Sequence, residues 1–190
     1  AYGFRNPHRI SWSKSGQLLA VNIGEHNIES INLIKAGNFY GWPIREGTFA
    51  ERFYDGHGSV YPLPANDSIY HVTYPVAQFD HDEGTAISGG FEYKGTAVPQ
   101  LSGKYFFADL GSGKLFFVNM KDLQLGKQAV IKKWNISYNG VPVTLAQLCK
   151  KDRVEMRFGM DSKGELYILT KADGKIYKLT GANSRSLAVH

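Results

Sequence analysis

An internal repeat constrains this chain more than any other feature. Arg9-Ile10-Ser11-Trp12-Ser13-Lys14-Ser15-Gly16-Gln17-Leu18 lines up without a gap on Arg157-Phe158-Gly159-Met160-Asp161-Ser162-Lys163-Gly164-Glu165-Leu166. Each copy has an Arg, a short apolar strand, a Ser/Lys/Gly turn, then a polar residue and Leu. A second match pairs residues 104–118 with 165–179, 15 residues each without a gap. Both members hold a hydrophobic strand, a loop ending in Gly-Lys, and a second strand of aromatic or branched residues, the pattern of a hairpin. Three strand–turn–strand units result, turning near Gly16, Gly103 and Gly164.

Multi-strand units that recur around glycine turns are the signature of β-propeller blades, each burying its faces against its neighbours. The composition agrees: 11 Tyr, 11 Phe and 3 Trp favour strands, 21 Gly punctuate them, and no helix needs to be assumed. The expected fold is all-β, a partial propeller over residues 1–180 with about three blades. Their hairpins fall near 9–34, 86–118 and 153–179, a loop insertion occupies 35–85, and a flexible tail covers 181–190. Within the insertion lie the turn-rich Gly37-Asn38-Phe39-Tyr40-Gly41-Trp42-Pro43 and the aromatic stretch Tyr54 to Pro64. Tyr70 to Phe79 follows as an edge strand, since Pro75 has no N–H for a ladder. Propeller rings hold at least about four blades, so the chain is expected to be part of a larger ring or to be completed by another chain. An opening at Ala1 rather than Met suggests a processed or truncated product.

The net charge of +5 is dispersed, with no Lys/Arg run longer than the doublets Lys132-Lys133 and Lys150-Lys151. A nucleic-acid surface needs a clustered stripe, so this balance reads as a solvated exterior. The single Cys149 excludes an internal disulfide and a cysteine-based metal cluster, and reads as a small buried hydrophobe. No apolar run reaches the ~18 residues that cross a bilayer, and none of the residues given reads as a signal sequence.

Several polar residues invite chemistry. The guanidinium of Arg5 could make a bidentate contact with a ligand carboxylate, or brace two blades with Asn6 capping the turn before Pro7. His26 could hydrogen-bond a ligand, move a proton or sit in a solvated loop. Asp80-His81-Asp82-Glu83-Gly84 has metal-ligand composition but not the spacing of a calcium loop, and reads as channel-facing polar residues or a solvated turn.

The chain resembles the glucose/sorbosone dehydrogenase family, sugar dehydrogenases that use pyrroloquinoline quinone on a six-bladed propeller. The resemblance rests on Gly3-Phe4-Arg5-Asn6-Pro7, on Glu29-Ser30-Ile31-Asn32-Leu33-Ile34 followed by Asn38-Phe39-Tyr40-Gly41-Trp42-Pro43, on Ile87-Ser88-Gly89-Gly90-Phe91-Glu92-Tyr93-Lys94-Gly95, and on Gly103-Lys104-Tyr105-Phe106-Phe107-Ala108-Asp109. It covers most of Gly3 to Leu179. It implies that Arg5, Asn6, His26 and Arg157 lie at the cofactor, and that calcium rests beside it on backbone carbonyls of Gly24 and Glu25. It further implies an aldose substrate, an external electron acceptor and a periplasmic or secreted location. In the family's mechanism a histidine base takes the sugar C1 hydroxyl proton while hydride passes to the quinone. That histidine lies upstream of the Arg-Asn-Pro motif, so no catalytic base is assigned in this chain, neither His8, His57, His71 nor His81. Glu25 stands where proline is usual, and Asp109 near where a cofactor-binding lysine is expected. A second reading therefore stays open: a non-catalytic propeller that binds carbohydrate or protein and has lost the cofactor.

Overall fold

A computed structural model describes residues 1–52 and 58–182 of the chain. Three strands open it: β1 (Asn6–Trp12), β2 (Leu18–Ile23) and β3 (Ile28–Leu33), paired antiparallel in that order. The chain then builds a small sheet from β4 (Arg45–Glu46), β5 (Phe49–Glu51) and β6 (Val60–Tyr61), and returns as β7 (Ala77–Asp80), which pairs with β3 and completes a four-stranded blade. The second blade is β8 (Ile87–Glu92), β9 (Lys104–Asp109), β10 (Leu115–Asn119) and the short β11 (Lys132–Lys133). A hairpin, β12 (Ile136–Tyr138) with β13 (Val141–Val143), and the one-turn helix α1 (Leu145–Cys149) lead into a third blade. That blade has three strands: β14 (Met156–Met160), β15 (Leu166–Thr170) and β16 (Lys175–Lys178).

The repeat is visible in the backbone. Gly16, Gly103 and Gly164 occupy the turn between the first two strands of successive blades, with φ of 80°, 69° and 81°. A β-carbon is disfavoured in that left-handed region, so glycine recurs there. Ser13 and Asp161 close equivalent turns, their N–H groups donating to Gln17 O at 2.8 Å and Glu165 O at 3.1 Å.

Blade stacking builds the core, and the alternation of side chains along each strand decides which face meets which neighbour. Leu19, Val21, Ile31 and Phe79 of the first blade pack on Ile87, Tyr105, Phe107 and Phe116 of the second. The opposite face of the second blade, with Phe106, Ala108, Leu115 and Phe117, packs on Met156, Phe158, Leu166 and Ile168 of the third. The middle blade is thus covered on both sides. On β1, Ile10 and Trp12 point away from the second blade and are each 61% exposed, as expected of a face that another blade would cover.

Two expectations need correction. The segment 35–85 is not a plain loop insertion: it contains the β4–β6 sheet and the outermost strand of the first blade, which begins at Ala77, beyond Pro75. It also folds back on that blade. Tyr40 donates its hydroxyl to Leu33 O at 2.7 Å, and Gln78 exchanges hydrogen bonds with Thr48 N at 2.9 Å and Thr48 Oγ1 at 2.8 Å. And short helical turns do form, among them α1, where Thr144 and Gln147 make a reciprocal capping box at its start; Cys149 within it is buried. Of the sequence features above, residues 54–57 of the aromatic stretch, with His57, and 183–190 of the tail lie outside the described residues.

Candidate cofactor site at the mouth of the propeller

Antiparallel pairing gathers one set of connections at one end of the blades: the starts of β1, β8 and β14, the β2–β3, β9–β10 and β15–β16 turns, and the link after β7. Bonds between blades tie this end together, from Ile87 N to Glu29 Oε2 at 2.8 Å and from Ser88 Oγ to Met156 O at 3.0 Å.

The β2–β3 turn is held by a residue from the β4 strand. Glu46, 3% exposed, accepts at a single carboxylate oxygen from the backbone N–H groups of Glu25, His26, Asn27 and Ile28, at 2.8, 3.1, 2.9 and 2.9 Å. In a trans peptide the carbonyl points opposite to the N–H it is bonded to. Drawing four consecutive N–H groups onto Glu46 therefore turns the carbonyls of Gly24, Glu25, His26 and Asn27 the other way. Gly24 has to be glycine for this: a β-carbon there would stand 2.1 Å from Ile28 O and 2.4 Å from Glu46 Oε1.

Arg5, just before β1, reaches the same turn. Its Nε donates to Glu25 Oε2 in an ion pair, both side chains being about two-thirds covered. Glu25 Oε1 lies 3.6 Å from Nε2 of the half-exposed His26, whose side chain lies beside Gly58. Asn6 is anchored through its backbone, its N–H donating to Asn22 Oδ1 at 3.0 Å. Arg5, Asn6, Gly24, Glu25 and His26 thus form one cluster. Arg157 is not bonded to it: its guanidinium donates to Met156 O at 2.9 Å, and it stands near His8, whose pKa is pushed below its ordinary value by burial and then by Arg157 and Arg9.

Sequence reasoning missed Glu46, since a glutamate inside an apparent insertion carries no spacing signal. It also left His81 unassigned. His81 Nε2 lies 3.1 Å from Oε1 of Glu29, a residue with no exposed surface. Burial pushes the Glu29 carboxyl up, and the Ile87 N–H and His81 partly offset that. The available signal was a charged residue inside the wholly buried strand Ile28–Leu33. Asp109, in contrast, is spent on structure: it accepts from Thr85 N, Ala86 N, Ser112 N and Ser112 Oγ at 2.6–3.0 Å. Burial alone would raise its carboxyl, but these bonds outweigh it and hold the pKa below the usual value. Among the described residues no three His, Cys, Asp or Glu side chains are placed to hold a metal ion, so a cation at this mouth would rest chiefly on carbonyl oxygens.

Antiparallel blades stacked through aromatic faces, with polar loops collected at one mouth, define a β-propeller protein. More narrowly, the chain belongs to the glucose/sorbosone dehydrogenase family, whose model matches residues 1–178. It is 31% identical over 125 residues to the HIPL1 protein of Arabidopsis thaliana, a match that covers 60% of this chain and 17% of that protein. Its fold is similar to the apo form of the soluble aldose sugar dehydrogenase of Escherichia coli, with TM-score 0.62, 21% identity and coverage of 93% of this chain and 45% of that one. The pyrroloquinoline-quinone-bound aldose sugar dehydrogenase of Streptomyces coelicolor matches with TM-score 0.52, 22% identity and coverage of 97% and 42%. The chain therefore spans less than half the length of these relatives. No helix among the described residues is long and apolar enough to cross a membrane.

Proposed function

We propose that this chain contributes the quinone-side mouth of a pyrroloquinoline-quinone-dependent dehydrogenase that oxidises aldose sugars at C1 and passes the electrons to an external acceptor. Calcium would be its second cofactor, and a periplasmic or secreted setting its location. The reading is supported above all by the Glu46-clamped turn, which frees a run of carbonyls beside Arg5.

The residues present fit both groups. Hard cations take oxygen ligands, and the carbonyls of Gly24 and Glu25 accept no backbone bond from a described turn or loop. Glu25 adds a carboxylate where a neutral residue would add none. Nε of Arg5 is pinned by Glu25, while its two terminal nitrogens have no partner among the described residues. That leaves a guanidinium fork for a carboxylate of the cofactor. When bound, the quinone accepts the hydride from the sugar C1. The chain's own part is to orient and neutralise: Arg5 supplies positive charge where negative charge gathers, and Glu25 keeps that guanidinium in place. His26, beside Glu25, can hydrogen-bond a ligand oxygen at the rim, and Arg157 adds a second cation near the inner strands. Preset dipoles and charges of this kind act without reorganising during the reaction.

A second reading, a propeller that binds carbohydrate or protein without the cofactor, is favoured by one observation: Glu25 already neutralises Arg5 before any ligand arrives. Dye reduction by aldoses, measured on the full-length protein with added quinone and calcium, separates the two. Reduction that requires both additions is the expected result. No quinone binding at any calcium concentration would leave only the binding module.

A further inference from the structure

Two asparagines stand in the pattern Asn-x-Ser/Thr with x other than Pro: Asn66-Asp67-Ser68 and Asn135-Ile136-Ser137. In a chain that enters a eukaryotic secretory pathway, this pattern is the acceptor for an asparagine-linked glycan. Such a triplet also arises by chance, so the fold has to say whether a bulky group can stay on each side chain.

At Asn135 the answer comes from strand alternation. Trp134 is buried, its ring centroid 4.9 Å from that of Phe106, and its N–H donates to Leu115 O at 3.1 Å. Ile136 packs on the core that holds both rings. Between two inward side chains Asn135 points outward, and Ser137, two residues on, shares its direction; both are exposed. They follow β11, the edge strand of the second blade that is remote from β8. Since β8 is the strand in contact with β1 and β14 of the neighbouring blades, Asn135 lies at the outer rim.

Asn66 is turned outward by its neighbour. Asp67 faces inward, its Oδ1 accepting from Arg45 Nε at 2.9 Å and Arg45 Nη2 at 2.6 Å, and its Oδ2 from the Tyr74 hydroxyl. The flanking Asn66 and Ser68 are exposed, and the Asn66 side chain caps nothing in the short turn that follows it. The amide nitrogens set the two asparagines apart from others. Asn27, Asn32, Asn38 and Asn119 spend Nδ2 on Gly58 O, Ser30 Oγ, Thr73 Oγ1 and Asp122 Oδ2 at 2.8–3.2 Å, so a group attached there would cost a bond of the fold. Nδ2 of Asn66 and of Asn135 has no partner among the described residues.

We infer that Asn66 and Asn135 carry asparagine-linked glycans, an inference that rests on the secreted setting proposed above. In the transfer, Nδ2 bonds to the anomeric carbon of a lipid-diphosphate-linked oligosaccharide, the co-reactant that the secretory membrane supplies. The bond from that carbon to the diphosphate oxygen breaks, the lipid diphosphate leaves with the electron pair, and the amide gives one proton to base. The seryl hydroxyl two residues on completes the acceptor pattern. At Asn135 the glycan also has a surface to shield. Tyr138 and Val141, paired across the β12–β13 ribbon, are exposed, and a hydrated group beside them keeps such side chains from meeting a second molecule.

The test uses the full-length protein, recovered from the medium of cultured eukaryotic cells and read by peptide mass spectrometry after peptide-N-glycosidase treatment in heavy-oxygen water. A heavy aspartate in place of each of the two asparagines is expected. Asn66→Gln and Asn135→Gln should each remove one glycan, Ser68→Ala and Ser137→Ala should do the same with the asparagine intact, and Ser137→Thr should keep its glycan. Because neither amide is bonded among the described residues, the glutamine variants should unfold at the wild-type temperature, which separates a missing glycan from a misfolded chain. A bare asparagine at either position in the secreted protein overturns the inference there and leaves the secreted setting standing. Protein retained in the cytosol refutes that setting instead. The same chain behind a cleavable export signal then decides the two acceptor sites: glycans at both uphold them, and bare asparagines overturn them.

Discussion

Replacing Glu46 should dismantle the β2–β3 turn without touching the blades. One of its oxygens holds four backbone N–H groups within 3.1 Å, and only the last of them, on Ile28, belongs to a fully buried residue. In Glu46→Ala the Ile28 N–H loses its partner in a buried setting, a cost of about 1–3 kcal/mol. The other three can turn to solvent, where water replaces the lost partner, and bonds that share one oxygen are not additive, so together they add about 1 kcal/mol. The expected total is about 3 kcal/mol, read as a lower urea midpoint with an unchanged slope. Glu46→Gln keeps an acceptor and loses only its charge, so about 1 kcal/mol is expected. Amide exchange at residues 25–28 should accelerate in the alanine variant, while exchange in β9 and β10 stays slow. If Glu46→Ala shifts stability by less than about 0.5 kcal/mol, or leaves those four amides protected, the clamp is not what organises the turn, and the freed carbonyls lose their cause.

Gly24→Ala should be as damaging, because its β-carbon would meet a backbone carbonyl at 2.1 Å and overpacking against main chain costs about 1–3 kcal/mol; thermal unfolding checks this. Arg5→Lys keeps the charge but loses the fork, and about a tenfold loss of quinone affinity, followed by absorbance titration, is expected with little change in unfolding. Asp173 gives a pH signature. Burial would raise its carboxyl, but the Thr170 and Tyr177 hydroxyls more than compensate and hold it down to about 2, from an ordinary 3.8. A depressed carboxylate stabilises the fold above its unfolded pKa and loses that contribution as pH falls through its folded one. Stability should therefore drop between about pH 4 and pH 2, and Asp173→Asn should flatten that part of the denaturation curve.

Much of the fold was legible because it is periodic. Glycines that need positive φ recur at fixed places between alternating apolar strands, and both signals are local, so residues 9–18 and 157–166 announce their likeness without any knowledge of what they touch. The grouping of Arg5 with Gly24 and Glu25 came from the family resemblance, and the ion pair between Arg5 and Glu25 brings them together because β1 and β2 are neighbours in sequence as well as in space. The fourth strand of the first blade was legible as an edge strand over Tyr70–Phe79, but its place in that blade was not, because its partner β3 precedes it by more than 40 residues and pairing at that distance leaves no mark on either segment. Glu46 and His81 were hidden for the same reason. A carboxylate that caps a turn, or that fixes an imidazole, is recognised only by the groups around it, and those groups arrive from strands and loops distant in sequence.

By itself the chain's sequence determined the blade: where strands start and turn, which faces are apolar, and that its sheets must stack. Only the tertiary structure decided which polar residues meet, because backbone N–H groups and buried acids are satisfied by whatever the packing brings within about 3 Å, and the distance along the chain says nothing of that.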